Sequence, residues 1–388
     1  MRAAQCRALL QMLAWVEHKT ATQLLLAVGS RFRTKSIQEE ANKQAIALAE
    51  RKGWTVAELA DRTIPSAGLD DDGVLTLDFG PRRFTAKLNE DLEFVLSDPD
   101  GKTIKSVPEP RKDDDEAKAA EAKKFFAAAR KELKSVVTLQ RERLYEAMCT
   151  QRTWPFEDWN TYLNRHPIAR HHCQRLVWAV VHEDKVVNLF RPLADGSLTD
   201  VIDDSVTVKP EESVRLAHEC QVKPDQSQAW RNHLKDYEVE PLFEQFGRPN
   251  FDLVEERKQE DELADFRGHL VETFKLRGRA TKLGYIRGDA EDGGWFHLYR
   301  KPFPSLRLQA VVGFTGSSLP ETDMPAALVE LYFLTMKGDQ EAVHSWQPSK
   351  LPLGKVPPVL LSECYNDVKQ MAAEGSGYDP EWRKKSFY

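Results

Sequence analysis

Cysteine is scarce in this chain, and its placement excludes a fold held by disulfides. The 388 residues contain five cysteines, an odd number at long intervals: Cys6, Cys149, Cys173, Cys220 and Cys364. Small secreted domains that depend on disulfides carry closely spaced, even sets of cysteines. The pattern therefore predicts reduced thiols and a cytoplasmic location.

Long apolar runs and a strong excess of one charge are also missing. No segment approaches the roughly 20 apolar residues that span a bilayer, and the first residues lack the small-residue cleavage site of a secretory signal. The net charge of −6 supplies no global field that would attract DNA or RNA. We therefore expect no membrane association, and a contact with nucleic acid would need a local basic patch.

Motifs of cofactor and metal chemistry are absent as well. The glycine-rich segment 288–294 (GDAEDGG) lacks the lysine of a phosphate-binding loop, and its acidic residues would repel phosphate. The sequence has no Cys-x-x-Cys or His-x-x-x-His pair that would indicate zinc. No cofactor is predicted, and segment 288–294 is interpreted as a hairpin loop.

The first 52 residues show helical periodicity. Apolar residues recur at three- and four-residue steps in three runs, near residues 9–16, 21–32 and 37–51. Three such helices resemble the end of a helical-repeat array. In that case further repeats precede Met1, and the first helix exposes apolar surface. The alternative is a small helical subdomain that packs on the residues that follow it.

The rest of the chain mixes strand-like and helical patterns. Thr55 and Glu58 form a capping-box pair that starts a short helix. Period-two alternation and turn residues predict strands in three blocks: 74–79, 83–88, 92–96 and 102–107; 176–181, 186–191, 198–201 and 206–208; and 284–287, 295–300 and 306–314. Helices are predicted over a long stretch from 113 to about 148, and at 211–220, 224–237, 255–265 and 359–373. Periodicity leaves 326–334 open between strand and helix.

These patterns predict an α+β fold: an N-terminal helical-repeat remnant, then small antiparallel meanders packed with a long central helix and further helices. Three domains are expected. Residues 1–52 form the helical end of a repeat array, residues 53–245 an α+β core domain with two strand blocks and the long helix, and residues 246–388 a C-terminal α+β domain.

Segment 143–181 is the most unusual part of the chain, with three tryptophans, two cysteines, three histidines and five arginines. Arginine and histidine beside tryptophan suit a phosphate, a carboxylate or a nucleotide base. The candidate ligand-binding residues are Trp154, Arg165, His166, Arg170, His171, Arg175 and Trp178. The alternative is a structural role, in which the arginines pair with nearby acidic residues.

Metal binding by the same segment is a second hypothesis. Cys149, His171 and Cys173 supply donors of the kind that zinc prefers. Adjacent His171 and His172 would point about 100° apart on a helix, so both rarely reach one ion. No metal site and no catalytic residue is therefore assigned.

Several phrases of the chain resemble the MolR-like family. They are GWTVAELADRTIP (53–65), DGVLTLDFGPRRFTAKL (72–88), RLYEAMCTQRTW (143–154), KLGYIRGDAEDGGWF (282–296) and VPPVLLSECYNDV (356–368). The family is named after a proposed regulator of molybdate metabolism. It is a bacterial C-terminal domain of unknown function, found in large proteins with helical repeats or WGR modules. The resemblance implies a regulatory context and assigns no role to any residue.

Two functions are expected from these observations. The first is a non-enzymatic binding or scaffold domain of a larger bacterial regulatory protein, with another protein or the preceding repeats as its partner. The alternative is an enzyme or sensor that acts on a nucleotide or phosphorylated ligand through the cluster of arginine, histidine and tryptophan.

Overall fold

The fold is that of a computed structural model, which describes residues 3–32, 34–336 and 349–386. The chain divides into two compact units that are interleaved along the sequence. The first unit comprises Met1–Tyr145, Thr153–Ala217 and Asp225–Gln245. The second comprises Glu146–Arg152, His218–Pro224 and Phe246–Tyr388.

The first unit begins with four helices: α1 (Ala3–Leu13), α2 (Lys19–Arg31), α3 (Lys35–Lys52) and α4 (Val56–Arg62). They share an apolar core that includes Leu10, Leu25, Ala45 and Leu59. The predicted capping box at the start of α4 is confirmed. Thr55 Oγ1 accepts from the Glu58 N–H at 3.1 Å, and Glu58 Oε2 accepts from the Thr55 N–H at 2.7 Å.

A four-stranded antiparallel meander and the long helix follow. The strands are β1 (Leu75–Asp78), β2 (Arg83–Leu88), β3 (Phe94–Ser97) and β4 (Thr103–Ile104), paired in chain order as predicted. Helix α5 (Glu116–Thr150) is 35 residues long. Its predicted apolar stripe is buried, from Phe126 through Leu133 and Val136 to Met148, so the stripe is a packing surface.

The first unit also contains a five-stranded antiparallel sheet. Its strands are β5 (Thr153–Pro155), β6 (Trp178–His182), β7 (Lys185–Pro192), β8 (Leu198–Thr199) and β9 (Ser213–Leu216), in the order β5-β9-β6-β7-β8. Between β5 and β6 lie α6 (Phe156–Trp159), a π-helical turn (Asn160–Asn164) and α7 (Ala169–Cys173). Helix α8 (Pro224–Asp236) follows β9. The apolar run at 176–181 thus supplies the predicted central strand.

The second unit is built on a seven-stranded sheet. Its strands are β10 (Glu262–Leu263), β11 (His269–Glu272), β12 (Ile286–Arg287), β13 (Trp295–Phe303), β14 (Leu308–Ser318), β15 (Pro325–Thr335) and β16 (Gly377–Tyr378). The order is β12-β13-β14-β15-β11-β16, and β10 also pairs with β15. The unit's helices are α9 (Thr273–Lys282), α10 (Pro358–Ala373) and α11 (Trp382–Lys385).

Four assignments from the sequence differ from the structure. The predicted helix at 211–220 is wrong, because its middle forms β9 between β5 and β6. The predicted helix at 255–265 is wrong, because the segment forms a 3₁₀ turn (Glu255–Arg257) and then β10. The predicted strand at 206–208 is not a strand, and α9 was not predicted. The open segment 326–334 is strand β15.

The α+β class is confirmed by this mixture of helices and antiparallel sheets. Within the described ranges, no helix combines the length and the apolar character that a bilayer crossing requires.

Candidate functional site

The two tryptophans among the predicted ligand-binding residues lie in the core of the first unit. Trp154 is 4% exposed and Trp178 is fully buried, with their ring centroids 5.6 Å apart. The indole N–H of Trp154 donates to Asp61 Oδ2 at 2.8 Å. That of Trp178 donates to the carbonyl oxygen of Cys173 at 3.2 Å. Both indole N–H groups are thus used inside the protein.

The histidines of the predicted cluster are held neutral by burial. His166 Nε2 lies 3.1 Å from the Ile64 carbonyl oxygen, and its Nδ1 accepts from the N–H groups of Ile168 and Ala169. The carbonyl requires a proton on Nε2, and the two N–H donors require a bare Nδ1, so one neutral tautomer satisfies the ring. Burial lowers the pKa of His166 and His171 to about 4.

The neighbouring His172 is also tied to backbone. Its Nε2 lies 3.0 Å from the carbonyl oxygen of Val137 in α5, and the residue is 1% exposed. Burial lowers the pKa of His172 to about 4. This histidine therefore joins α7 to α5 in the uncharged form.

The three arginines of the predicted ligand-binding cluster occupy different parts of the first unit. Arg175 Nε donates to the Glu240 carbonyl oxygen at 2.7 Å, after α8. Arg170 lies over Gly73, where a Cβ would approach its Nη2 to 2.6 Å. Arg165 is exposed after the π-helical turn. The structure therefore places Trp154 and Trp178 in contact, whereas Arg170 and Arg175 contact separate elements. Ligand binding by the seven residues stays a prediction.

The three residues of the metal-binding hypothesis do not all belong to the same unit. Cys149 belongs to the second unit, whereas His171 and Cys173 belong to the first. Across residues 3–32, 34–336 and 349–386, no group of three or more His, Cys, Asp or Glu residues could hold a metal ion. Burial raises the pKa of the Cys149 and Cys173 thiols, which opposes the thiolate form that zinc requires.

Two buried arginines that the sequence did not single out share one face of the five-stranded sheet. In the register of the sheet, Arg215 of β9 lies opposite Ala179 of β6, which lies opposite Leu189 of β7. Directly opposed residues share a face, and so does Arg191, two positions beyond Leu189. Arg191 is 6% and Arg215 is 7% exposed. The opposite face carries Trp178, Phe190 and Leu216.

Arg191 lies in a compact polar group with His233 and Tyr237 of α8 and its C-terminal end, and with Asp203 of the loop after β8. Arg191 Nε donates to His233 Nε2 at 3.4 Å, and its Cζ lies 5.5 Å from the Tyr237 ring centre. His233 Nδ1 lies 3.9 Å from Asp203 Oδ1. We refer to these four residues as the Arg191 cluster.

Electrostatics sets Arg191 apart from most arginines of the chain. Burial lowers its pKa, because the charged guanidinium loses hydration. Burial and the nearby Arg191 charge also lower the pKa of His233. His233 therefore serves as a neutral acceptor and does not compensate the charge of Arg191.

A second polar group lies inside the second unit. Lys301 Nζ of β13 contacts Asp367 Oδ2 of α10 at 2.8 Å, and the two side chains are 9% and 1% exposed. Burial, the largest single effect, would lower the pKa of Lys301, but Asp367 and the other acidic groups around it together raise it. Nearby in α10, Glu363 pairs with Arg248 at 2.7 Å and with His218 at 3.3 Å. The side chains of His218 and Glu363 are at most 2% exposed, so this enclosed group lies inside the second unit.

Two residues of this enclosed group lie in a part of the sequence that supports the family resemblance, although no site was predicted there. Asp367 and Glu363 lie in the phrase VPPVLLSECYNDV, on which the MolR-like resemblance partly rests. The Arg191 cluster carries no such signal, because its members stand alone in ordinary strand and helix sequence.

Comparison with known proteins shows that part of the chain is similar to a family of unknown function. Residues 101–285 match the model of a family described as "Domain of unknown function (DUF4132)". A protein of Escherichia coli (strain K12), described as "Uncharacterized protein YehI", is 29% identical over 276 residues. The match covers 70% of this chain and 23% of that protein, so the chain spans less than a quarter of the relative's length. No solved structure matches the chain.

Proposed function

We propose that this chain is a docking module of a larger protein, and that its N-terminal helices bind an amphipathic helical hairpin. The observation that carries the proposal is an apolar surface on α1 and the residues around it. We call it the outer apolar surface, and it comprises Leu9, Met12, Trp15 and Val16, which are 47–71% exposed.

Helix α1 is apolar on two sides. Its inner side packs Cys6, Leu10 and Ala14 against the core of the first four helices. Leu9 and Met12 follow at the spacing of a second stripe, which Val16 continues just after the helix ends. Soluble surface helices ordinarily bury one apolar stripe. A second, exposed stripe marks a surface that is covered by another element.

Trp15 gives this surface an ordered anchor. The Arg51 guanidinium stacks on the Trp15 indole, with Cζ 4.2 Å from the ring centre, although Trp15 is 71% exposed. Tryptophan and arginine dominate the binding energy of protein interfaces. A ring that is already held in place loses less side-chain entropy when a partner covers it.

The shape of the neighbouring helices favours a helical hairpin as the occupant. Helix α3 contacts α1, α2 and α4, and α2 contacts both α1 and α4, so the four helices form one compact group. Helical-repeat proteins extend such groups by burying the exposed stripe of one helix pair under another. The relative from E. coli is much longer than the matched region, which leaves room for such helices in a protein of that kind. The regulatory role implied by the MolR-like resemblance would act through this contact.

Site-specific cross-linking tests the proposal. Met12 is replaced by benzoylphenylalanine in the full chain, expressed in its host, and the cross-linked peptide is sequenced. We expect an amphipathic helical segment, and a synthetic peptide of that segment should bind the purified chain. Met12→Glu should weaken the binding at least tenfold, because the carboxylate would be desolvated. Ala4→Glu, which adds the same charge to α1 away from the stripe, is the matched control.

Two outcomes contradict this function. A cross-link between two copies of the chain, together with a doubled mass in light scattering, would show that the surface is a dimer interface. Equal weakening by Met12→Glu and Ala4→Glu would show a general charge effect and no specific surface.

A further inference from the structure

We propose that the Arg191 cluster binds a phosphate group. The site lies on the face of the five-stranded sheet opposite Trp178, and the proposal does not depend on docking by the N-terminal helices. It places phosphate recognition outside the segment that the sequence favoured.

The first argument is a buried positive charge without a negative partner in contact. Two other arginines of the first unit have one: Arg143 contacts Asp61, and Arg82 contacts Asp114. In the part of the chain that the structure describes, the Arg191 side chain makes a single hydrogen bond, to His233, and has no carboxylate within 4.0 Å. A buried charge is costly unless it is paired. A bound anion would offset that cost.

The second argument is the orientation of the guanidinium. His233 accepts from Nε of Arg191, so the two Nη groups remain as donors. Nε of Arg215, on the same face, is fully buried without a partner, whereas no nitrogen of Arg191 is in that condition. The Nη groups therefore keep access to solvent. Two parallel N–H donors on a planar group match two oxygens of an oxyanion.

Tyr237 marks the open side of the cluster. Its ring packs 4.7 Å from that of His233 and is 51% exposed. Its hydroxyl donates to the Asp203 carboxylate, so a bound anion would have to displace Asp203 to accept this proton. A phosphate has oxygens for both Nη groups and, once it displaces Asp203, for the Tyr237 hydroxyl, whereas a carboxylate has only two oxygens. The cluster therefore fits a phosphate better than a carboxylate.

We expect Asp203 to weaken phosphate binding at the proposed site. Its side chain is 56% exposed and lies 3.9 Å from His233, where its charge repels an anion. The residue has a φ of 69°, in the left-handed region that asparagine also tolerates. Asp203→Asn therefore removes the charge without straining the loop, and it should tighten phosphate binding about two- to fivefold, as expected for a partly exposed charge pair.

The experiment measures inorganic phosphate binding to the full chain, by ³¹P NMR line broadening and by the melting temperature at constant ionic strength. We expect phosphate to raise the melting temperature more than chloride does. Arg191→Gln should abolish this increment, and Asp203→Asn should enlarge it. Arg215→Gln is the matched control, since it removes an equally buried arginine from the same face. That variant should retain the increment, because Arg215 faces the Asp184 carbonyl oxygen at 3.0 Å.

Three results would overturn the proposal: no difference between phosphate and chloride, an equal loss in Arg191→Gln and Arg215→Gln, or an unchanged phosphate affinity in Asp203→Asn. If Arg191→Gln fails to fold, the Asp203→Asn affinity decides alone, because that variant leaves the buried side chains in place.

Discussion

The indole N–H of Trp154 donates to a carboxylate oxygen of Asp61 at 2.8 Å, and both residues are buried. Arg143 of α5 contacts the other oxygen of the same carboxylate at 2.5 Å. The three side chains therefore tie α4, α5 and β5 together. Trp154, which the sequence placed in a ligand site, is engaged in the interior of the first unit.

Trp154→Phe should destabilise the first unit. Phenylalanine keeps an aromatic ring against Trp178 but cannot donate to Asp61, so a buried carboxylate oxygen loses its partner. We expect a loss of about 1–3 kcal/mol in the free energy of unfolding, measured by urea titration. Trp15→Phe, at an exposed position, should change it by less than about 0.5 kcal/mol. If Trp154→Phe left the free energy of unfolding unchanged, the contact with Asp61 would not explain this tryptophan, and ligand binding would be its favoured role.

His172 makes stability depend on acid pH. An unfolded histidine titrates near pH 6.5, whereas burial lowers the pKa of folded His172 to about 4. The unfolded chain therefore takes up the proton first, and this residue's contribution is complete above pH 6.5 and is lost as the pH falls from 6.5 towards 4.

The variant His172→Gln isolates that contribution. A glutamine amide can donate to the Val137 carbonyl oxygen and stays neutral at every pH. The decrease in unfolding free energy between pH 6.5 and 4 should become smaller, by up to about 3 kcal/mol. His182→Gln, at an exposed end of β6, is the control. An identical pH profile in His172→Gln and the parent chain would mean that another group carries the acid sensitivity.

The buried pair Lys301–Asp367 should show strong coupling in a double-mutant cycle. Lys301→Met leaves the Asp367 carboxylate buried without its partner, and Asp367→Leu leaves the ammonium, so each should cost about 3–5 kcal/mol. The double variant should cost less than the sum, because no uncompensated charge remains. Thermal unfolding followed by tryptophan fluorescence measures all four proteins. Additive losses would show that the two residues do not act as a pair.

The Gln245 side chain joins two backbone segments of the first unit. Its side chain accepts from the Val177 N–H and donates to the carbonyl oxygens of Val177 and Ala217, each at 2.8 Å. Gln245→Leu keeps the volume but removes the glutamine hydrogen bonds to the Val177 N–H and the Ala217 carbonyl oxygen, whereas the Val177 carbonyl oxygen still accepts from the Ala217 N–H at 3.1 Å, so we expect a loss of at least about 2 kcal/mol. Hydrogen exchange at the Val177 amide should also accelerate. Unchanged protection there would show that water replaces the glutamine.

Much of the fold was predictable because local signals agreed with it. The capping box at Thr55 and Glu58, the turns of the first meander and the stripe of α5 each specify an element without help from distant residues. Strand β9 was misassigned because it is buried on both faces, including Arg215, so its sequence shows no alternation. The charged segment 255–265 has helix-forming composition, but pairing of Glu262 with Tyr332 of β15 draws its end into a sheet.

The candidate site was not predictable in the same way. Arg191 and His233 are 42 positions apart and meet only because α8 packs on one face of the sheet. A single arginine in a strand gives no sign that it is buried without a carboxylate. In segment 143–181, Trp154 and Trp178 are packed in the core and His166 and His172 are bonded to backbone, since tryptophan and histidine are as useful in a core as in a pocket.

The interleaving of the two units bears on how the protein can be dissected. Residues 146–152 and 218–224 belong to the second unit but lie within the sequence of the first. A fragment that starts at Phe246 would lack His218, and with it a partner of the buried Glu363 carboxylate. No single cut can release either half intact, so we expect truncations designed from a linear domain map to yield insoluble pieces, and point substitutions are the better way to assign roles.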